Sequence, residues 1–291
     1  MANDPGAVLI TGCSSGIGEQ TARRLARRGW TVYATARRPD SIAGLAEAGC
    51  RTLALDVTDE GSMRAAVDEV EGAAGSVGAL VNNAGYSQSG ALETVPMERI
   101  RAQFETNVFG LIRMCQLVLP GMRRAGRGRI VNLSSMGGKL VFPGGGAYHA
   151  TKHAVEALSD ALRYEVRGFG VEVVIIEPGL ITTRFGETAA GSIADADGRT
   201  ELGEEVDPYA RFNAAVGSVT AGAYEGPLRY LGGPPDTVAK VIERALSARS
   251  PRPRYKVTPS ARLALFGRRL SPDRVWDAAM RVQFPSPGRS R

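Results

Sequence analysis

AVLITGCSSGIGEQTARRLARRG, from Ala7 to Gly29, is the stretch that decides the fold. The apolar run Ala7 to Ile10 reads as a buried strand, a glycine turn follows, and a helix is predicted from about Ile17 to Arg28. In such a turn Gly12 permits the reversal, Gly16 lets backbone approach a ligand, and Gly18 allows the helix to pack closely on the strand. The unpaired N–H groups at the helix start then form a cradle for a pyrophosphate. The spacing is G-x-x-x-G-x-G and departs from the G-x-G-x-x-G dinucleotide fingerprint, so the support for a phosphate site over an ordinary turn is its place between strand and helix.

A second stretch, RIVNLSSMGGKLVFPGGGAYHATK from Arg129 to Lys152, reads as a strand, a glycine-rich loop and a helix that begins at Tyr148. Tyr148 and Lys152 stand four apart and so share one helix face. For a phenol to act as acid and base near neutrality its pKa must fall by roughly 2 to 3 units, about 3 to 4 kcal/mol. A unit charge about 4 Å away supplies roughly that at an effective dielectric of ~20. Tyrosine four before lysine is common by chance, and a partly buried aromatic beside a solvated amine is the plain alternative. Ser135, at the end of IVNLSS, supplies context as a donor to a carbonyl oxygen that Tyr148 would protonate, although Ser134 is beside it and a turn role is open to either.

TGCSSGIG at Thr11 to Gly18, NNAG at Asn82 to Gly85, Asn107, Ser135 and YHATK at Tyr148 to Lys152, in that order, resemble the short-chain dehydrogenase/reductase family over roughly residues 6 to 185. VYATAR at Val32 to Arg37 and PRYKV at Pro253 to Val257 are more loosely similar to its hydroxysteroid and retinol dehydrogenase branch. The resemblance implies an α/β, three-layer, doubly wound Rossmann fold with a central, mostly seven-stranded parallel sheet, one domain over 1–291. It implies a nicotinamide cofactor on Gly12, Ser14, Ser15, Gly16, Ile17 and Gly18, with Asp56 and Val57 against the adenine. Asn83, Ala84 and Gly85 fall on the ribose and phosphate side, and Pro178, Gly179, Ile181 and Thr183 against the nicotinamide. It also implies the roles: Ser135 orients a carbonyl oxygen and Tyr148 gives it a proton, Lys152 binds the ribose and lowers the tyrosine pKa, and Asn107 holds a water that joins Lys152 to solvent. Structural readings stand beside these: NNAG as a strand-ending turn, Pro178 as a strand terminator, and Asn107 as an amide bridging to backbone. Pairing into a homodimer or homotetramer is implied through helices near Met97 to Leu119 and Tyr148 to Arg167.

The second strand is predicted at Thr31 to Ala36, and the residues past its end choose the cofactor. An acid there would hold ribose hydroxyls; Arg37 and Arg38 stand there instead, and a guanidinium takes a phosphate by two charge-assisted bonds, so NADP(H) is expected over NAD(H). Two solvated loop arginines are the alternative. Further on, a third strand ends at Asp56, Thr58 caps a helix from near Glu60, and Met97 to Leu119 reads as one long helix. Val171 to Gly179 is a buried strand, Asp236 to Ala248 a helix, and Tyr255 to Thr258 the last strand. Ser271, Pro272 and Asp273 open a short helix with Val275, Trp276, Ala279, Met280 and Val282 as its apolar side.

Gly186 to Pro235 is small, polar and glycine-rich and is expected to form a substrate lid, with Tyr209, Phe212, Tyr224, Leu228 and Tyr230 as its apolar inner surface. The substrate is accordingly expected to be an apolar carbonyl or alcohol, and the family branch points to steroids, retinoids or lipids. A non-catalytic NADP(H)-sensing protein of the same fold is the main rival reading, although it would not need serine, tyrosine and lysine together. A sugar-nucleotide epimerase would be expected to show a shorter glycine spacing.

With 291 residues, 43% of them hydrophobic, the chain can close one large core. Lacking an apolar run of roughly 20 residues and a signal-like start, it is expected in the cytoplasm without a transmembrane segment. Cys13, Cys50 and Cys115 read as small core or turn residues, and His149 and His153 form no metal-ligand cluster. The formal charge is +6, but Arg249 to Arg291 holds eleven basic and two acidic residues, a balance of +9, which leaves −3 for the rest. Basicity confined to a tail argues against a nucleic-acid surface. For the basic amphipathic ending, about 259–291, a flap over the cleft or a dimer partner is favoured over contact with an anionic membrane.

Overall fold

A computed structural model of the chain describes residues 6–183, 191 and 208–288 and, at 224, 225, 227 and 228, the backbone alone. The strands are β1 (Val8–Ile10), β2 (Val32–Ala36), β3 (Arg51–Ala54), β4 (Ala79–Asn82), β5 (Gly128–Leu133), β6 (Val171–Glu177) and β7 (Arg254–Lys256). They form one parallel sheet in the order β3-β2-β1-β4-β5-β6-β7. Strand residues alternate between two apolar layers, Val8 and Ile10 to one side and Leu9 to the other, Val32 and Ala34 against Tyr33. A sheet apolar on both faces must be covered on both. Helix α1 (Gly16–Arg27) and a helix late in the chain, Pro235–Ser247, cover the first face. The second is covered by Glu60–Ala74, Gly110–Ala125 and Gly146–Val166.

In chain order the other helices are α2 (Ala43–Ala46), α3 (Glu60–Ala74), α4 (Met97–Phe104), α5 (Gly110–Ala125), α6 (Gly146–Val166), α7 (Ala210–Glu225), α8 (Pro235–Ser247), α9 (Pro259–Leu270) and α10 (Asp273–Gln283). The chain leaves β1 toward β2 and β3, then returns beyond it to β4, so the strand order reverses between β1 and β4. Crevices at the carboxyl ends of such strands are where open α/β sheets bind ligands.

Several boundaries differ from those expected. β3 stops at Ala54, because the Asp56 carboxylate turns the chain by accepting from the Thr58 N–H (2.9 Å) and hydroxyl (2.7 Å). Thr58 is therefore not the cap of α3; Asp59 is, accepting from the Ser62 N–H at 2.5 Å. The stretch from Met97 is α4, a π-turn at Glu105–Phe109, and α5, which runs through Pro120 to Ala125 and ends at Gly126 with φ +63°. β7 ends at Lys256, and Thr258 caps α9 instead of closing the strand, its hydroxyl accepting from the Ala261 N–H.

In the region expected to be the lid, 186–190 and 192–207 lie outside the described residues, as do the side chains of Tyr224 and Leu228. The remainder forms α7 and a turn of 3-10 helix at Pro227–Leu231. Tyr209 and Phe212 are half-buried, but Tyr230 is exposed and is not part of an inner surface. Nor do the apolar residues of α10 face the core together: Trp276 sits 6.1 Å from the Phe142 ring and Met280 is half-buried, whereas Val275, Ala279 and Val282 are exposed. Among the described residues no helix is long and apolar enough to cross a membrane. The three thiols are buried, and burial pushes Cys13 and Cys115 up to about 12, well away from reactive thiolates.

Candidate active site

The glycine turn after β1 is tight for identifiable reasons. Gly12 has φ +72°, and a Cβ there would lie 2.9 Å from Ala84 Cα; Gly16 has φ +63° beside Thr183. Gly18 packs against the turn itself more than against the strand, since its Cβ would meet the Gly12 carbonyl and stand 2.5 Å from Asn83 Nδ2. Asn83 staples the turn by donating to Thr11 O and Gly12 O, both at 2.9 Å, while the Thr11 hydroxyl accepts from the N–H groups of Asn83 and Ala84. Ser15, before α1, makes no side-chain cap, so the first N–H groups of the helix are not taken by their own capping residue. A cradle too tight for side chains, opening onto an uncapped helix start, fits a pyrophosphate.

Ser135, Tyr148 and Lys152 meet at the carboxyl end of β5. Ser135 accepts from the Gly137 N–H at 3.0 Å, so it is a turn cap and keeps its own O–H to give elsewhere. Ser134 is buried with its hydroxyl unpartnered, lying where a Cβ on Gly138 would strike it. Lys152 donates to Leu133 O at 2.7 Å and lies 5.8 Å from the centroid of the Tyr148 ring. Burial pulls this amine down to about 8, with Glu156 opposing the shift. Asn107, in the π-turn, donates to Tyr86 O (2.9 Å) and Thr151 Oγ1 (3.1 Å) and accepts from Tyr86 N (3.1 Å). Its amide bridges to backbone, which is the structural alternative raised by the sequence.

Behind Lys152 lies a charge cluster that sequence reasoning missed. Glu156, one turn along α6, and Glu177, the last residue of β6, are both buried. Arg254 on β7 reaches Glu156 at 3.0 Å, Glu177 at 3.5 Å and also Asp160, and Lys139 adds a second cation at 3.0 Å from Glu156. Burial, then the charge of Glu156, pushes Glu177 up to about 7. The partners come from four separate stretches, which no local pattern reveals.

One cavity of about 1250 Å³ joins these parts. It is lined by Gly12, Ser14, Ser15, Gly16, Ile17, Arg37, Asp56, Val57, Asn83, Ala84 and Gly85, by Ser135, Tyr148 and Lys152, and by Pro178, Gly179, Ile181 and Thr183. Gly18 and Asn107 do not line it and support it from behind. Arg38, the other arginine at the end of β2, does not line it either, whereas the unpredicted Arg99 does. Other unpredicted wall residues are Tyr86, Phe142, His149, Val216, Leu231, Leu263 and Phe284. His149 adjoins Tyr148, and burial pulls it down to about 4, so a neutral imidazole faces the cleft. Leu263 and Phe284 carried a signal in the apolar spacing of the tail, but not its direction.

The short chain dehydrogenase family matches residues 6–191. Among curated proteins, a 3-ketodihydrosphingosine reductase of Bacteroides thetaiotaomicron is 42% identical over 68% of this chain and 71% of its own length. An NADPH-dependent 3-dehydrocapnine reductase of Ornithobacterium rhinotracheale is 34% identical over 92% and 94%. The crystal structure of a short-chain dehydrogenase from Streptomyces avermitilis superposes with a TM-score of 0.76 at 34% identity, covering 95% of this chain and 97% of that one. With the family matching residues 6–191 and 34% identity to a solved member over nearly the whole length, the chain belongs to the short-chain dehydrogenase family of alcohol and carbonyl oxidoreductases.

Proposed function

We propose that the chain is an NADP(H)-dependent oxidoreductase that interconverts a carbonyl and an alcohol on an apolar, lipid-like substrate, with Tyr148 as the group that gives and takes the proton. One observation carries the reading: Tyr148 and the buried Lys152 line the same cavity as the glycine turn and Arg37. Bound there, NADP(H) supplies the donor or acceptor of hydride. Gly12, Ser14, Ser15, Gly16 and Ile17 would hold its pyrophosphate, Arg37 its ribose phosphate, Asp56 and Val57 the adenine, and Ile181 and Thr183 the nicotinamide. Asn83, Ala84 and Gly85 would flank the ribose.

The protein's own part is positioning and proton transfer. The Ser135 oxygen accepts from the Gly137 N–H, which leaves its O–H available to donate to the carbonyl oxygen. Tyr148 protonates that oxygen as negative charge develops on it. At the 5.8 Å that separates Lys152 Nζ from the Tyr148 ring centroid, a unit charge is worth about 3 kcal/mol to a phenolate at an effective dielectric of ~20. The same ammonium would hold the ribose, and Asn107, behind the cavity, would join it to solvent through a water.

Arg37→Asp is expected to cut kcat/KM with NADPH by about 10- to 100-fold while sparing NADH, since charge-assisted bonds are lost and a repulsion is added. An unchanged NADPH to NADH ratio in steady-state kinetics would refute this assignment. As pH rises through the value of about 8 held by Lys152, its charge is lost, so kcat/KM for reduction is expected to fall on the alkaline side. A profile flat from pH 7 to about 9.5 would remove the lysine from the proton chemistry.

For the substrate, Phe142, Val216, Val219, Leu231, Leu263 and Phe284 give the cavity apolar walls. The two reductase relatives are named for 3-ketodihydrosphingosine and 3-dehydrocapnine, which favours a long-chain ketone. NADPH oxidation followed by absorbance with 3-ketodihydrosphingosine, a steroid ketone, retinal and a fatty aldehyde is expected to be fastest with the first. Absence of turnover with every carbonyl, and with the matching alcohols and NADP+, would overturn the proposal.

A further inference from the structure

α9 and α10 carry apolar side chains on the side turned away from the core. On α9, Leu263, Phe266 and Leu270 are 58%, 65% and 66% exposed, and their spacing of three and four makes one stripe. Arg262 and Arg269, also exposed, run along its edge. α10 repeats the pattern: exposed Val275, Ala278, Ala279 and Val282 share a face, with exposed Arg274 and Arg281 beside it. An outward apolar stripe bordered by arginines suits a helix lying in the headgroup layer of a bilayer.

Position and charge identify what covers this face. Leu263 lines the cavity and is more than half exposed, so the stripe starts at the cavity rim; Phe284, just past α10, also lines it. Tyr230, 76% exposed, stands next to Leu231 of the same wall, on the turn that α9 packs against. An aromatic with an apolar body and a polar tip is at home in a lipid interface. From Pro259 to Gly288 there are five arginines and two acids. Arg268 is held by Asp273, at 2.6 Å, and lies over Trp276, whereas Arg262, Arg269, Arg274 and Arg281 have no ion-pair partner among the described residues. A second copy of the chain meeting this face by a two-fold axis would bring together two faces that each carry more arginines than acids. Phospholipid phosphates would complement them.

We propose that the outer face of α9 and α10 docks on an anionic phospholipid surface, with the cavity rim against the lipid, so that an apolar substrate passes from bilayer to cleft without crossing water. The contact is peripheral. It goes beyond the proposed reaction and is read without turnover, so the two stand or fall separately.

The test is co-sedimentation of the full chain with vesicles of phosphatidylcholine containing about one third phosphatidylglycerol, and with phosphatidylcholine alone. The parent protein is expected on the anionic vesicles, released by added salt, and scarcely bound to the neutral ones. Phe266→Asp with Leu270→Asp, and separately Arg262→Glu with Arg269→Glu, are each expected to lower the partition coefficient about 25-fold or more. All four side chains are exposed, so thermal midpoint and NADPH affinity should hold; the charge-only pair keeps the test valid if the first pair harms folding. Equal binding to both vesicle types, or variants bound as well as the parent, would overturn the proposal. So would sedimentation velocity showing a dimer that Phe266→Asp with Leu270→Asp makes monomeric, for then a second copy covers the face.

Discussion

Tyr148→Phe is expected to lower kcat/KM for carbonyl reduction by about 10²- to 10⁴-fold, the range supplied by a positioned general acid. Only the hydroxyl is removed. The ring keeps its place beside His149, 5.6 Å between centroids, and Lys152 keeps its bond to Leu133 O, so NADPH affinity by fluorescence titration should move by no more than about twofold. Ser135 would still orient the carbonyl, which leaves a residual rate instead of none. Parent-like turnover in this variant would take Tyr148 out of the proton path. Equal loss of cofactor binding would make it a structural residue.

Gly18→Ala is expected to cost about 1 to 3 kcal/mol of stability and to weaken NADPH binding at least tenfold, because overpacking here has nowhere to go. The new methyl would meet the Gly12 carbonyl and stand 2.5 Å from Asn83 Nδ2. Neither can retreat: the Asn83 amide is spent on Thr11 O and Gly12 O, and Gly12 is already against Ala84. Gly72→Ala, in α3 where a Cβ meets nothing within 4 Å, should instead gain up to about 1 kcal/mol from helix propensity. Chemical denaturation of the two variants with and without NADPH separates the effects. Similar responses from both would mean that the close packing at Gly18 is not what requires glycine.

The parts legible in sequence were those in which local chemistry and tertiary role coincide. A strand apolar at every position, such as Val8 to Ile10, is buried on both faces whatever surrounds it, and a glycine turn between strand and helix has few alternatives. Tyr148 and Lys152 are paired by helix geometry alone. What stayed hidden is set by distant partners. The π-turn at Glu105–Phe109 is held where Asn107 grips the backbone of Tyr86 and Gly110 presses on Val57 O, twenty to fifty residues away in sequence. The helix expected to end at Leu119 runs on through Pro120 to Ala125, with Val118 and Met122 on either side of the proline fully buried in the core. Asp59 took the cap from Thr58 because Asp56 had already engaged that threonine. For α9 and α10, periodicity finds an apolar side but not which way it points.

Arg254 has a consequence for how the molecule is made. It meets both Glu156, which Lys139 also reaches, and Glu177, yet it stands on β7, the last of the described strands to be synthesised. During translation Ser135, Tyr148 and Lys152 leave the ribosome when Glu156 has only Lys139 beside it and Glu177 still awaits the Arg254 guanidinium. Domains tend to fold as units as they emerge. Here the charge cluster under the site is incomplete until β7 inserts, so a stall or truncation before β7 would be felt first at the Tyr148 helix.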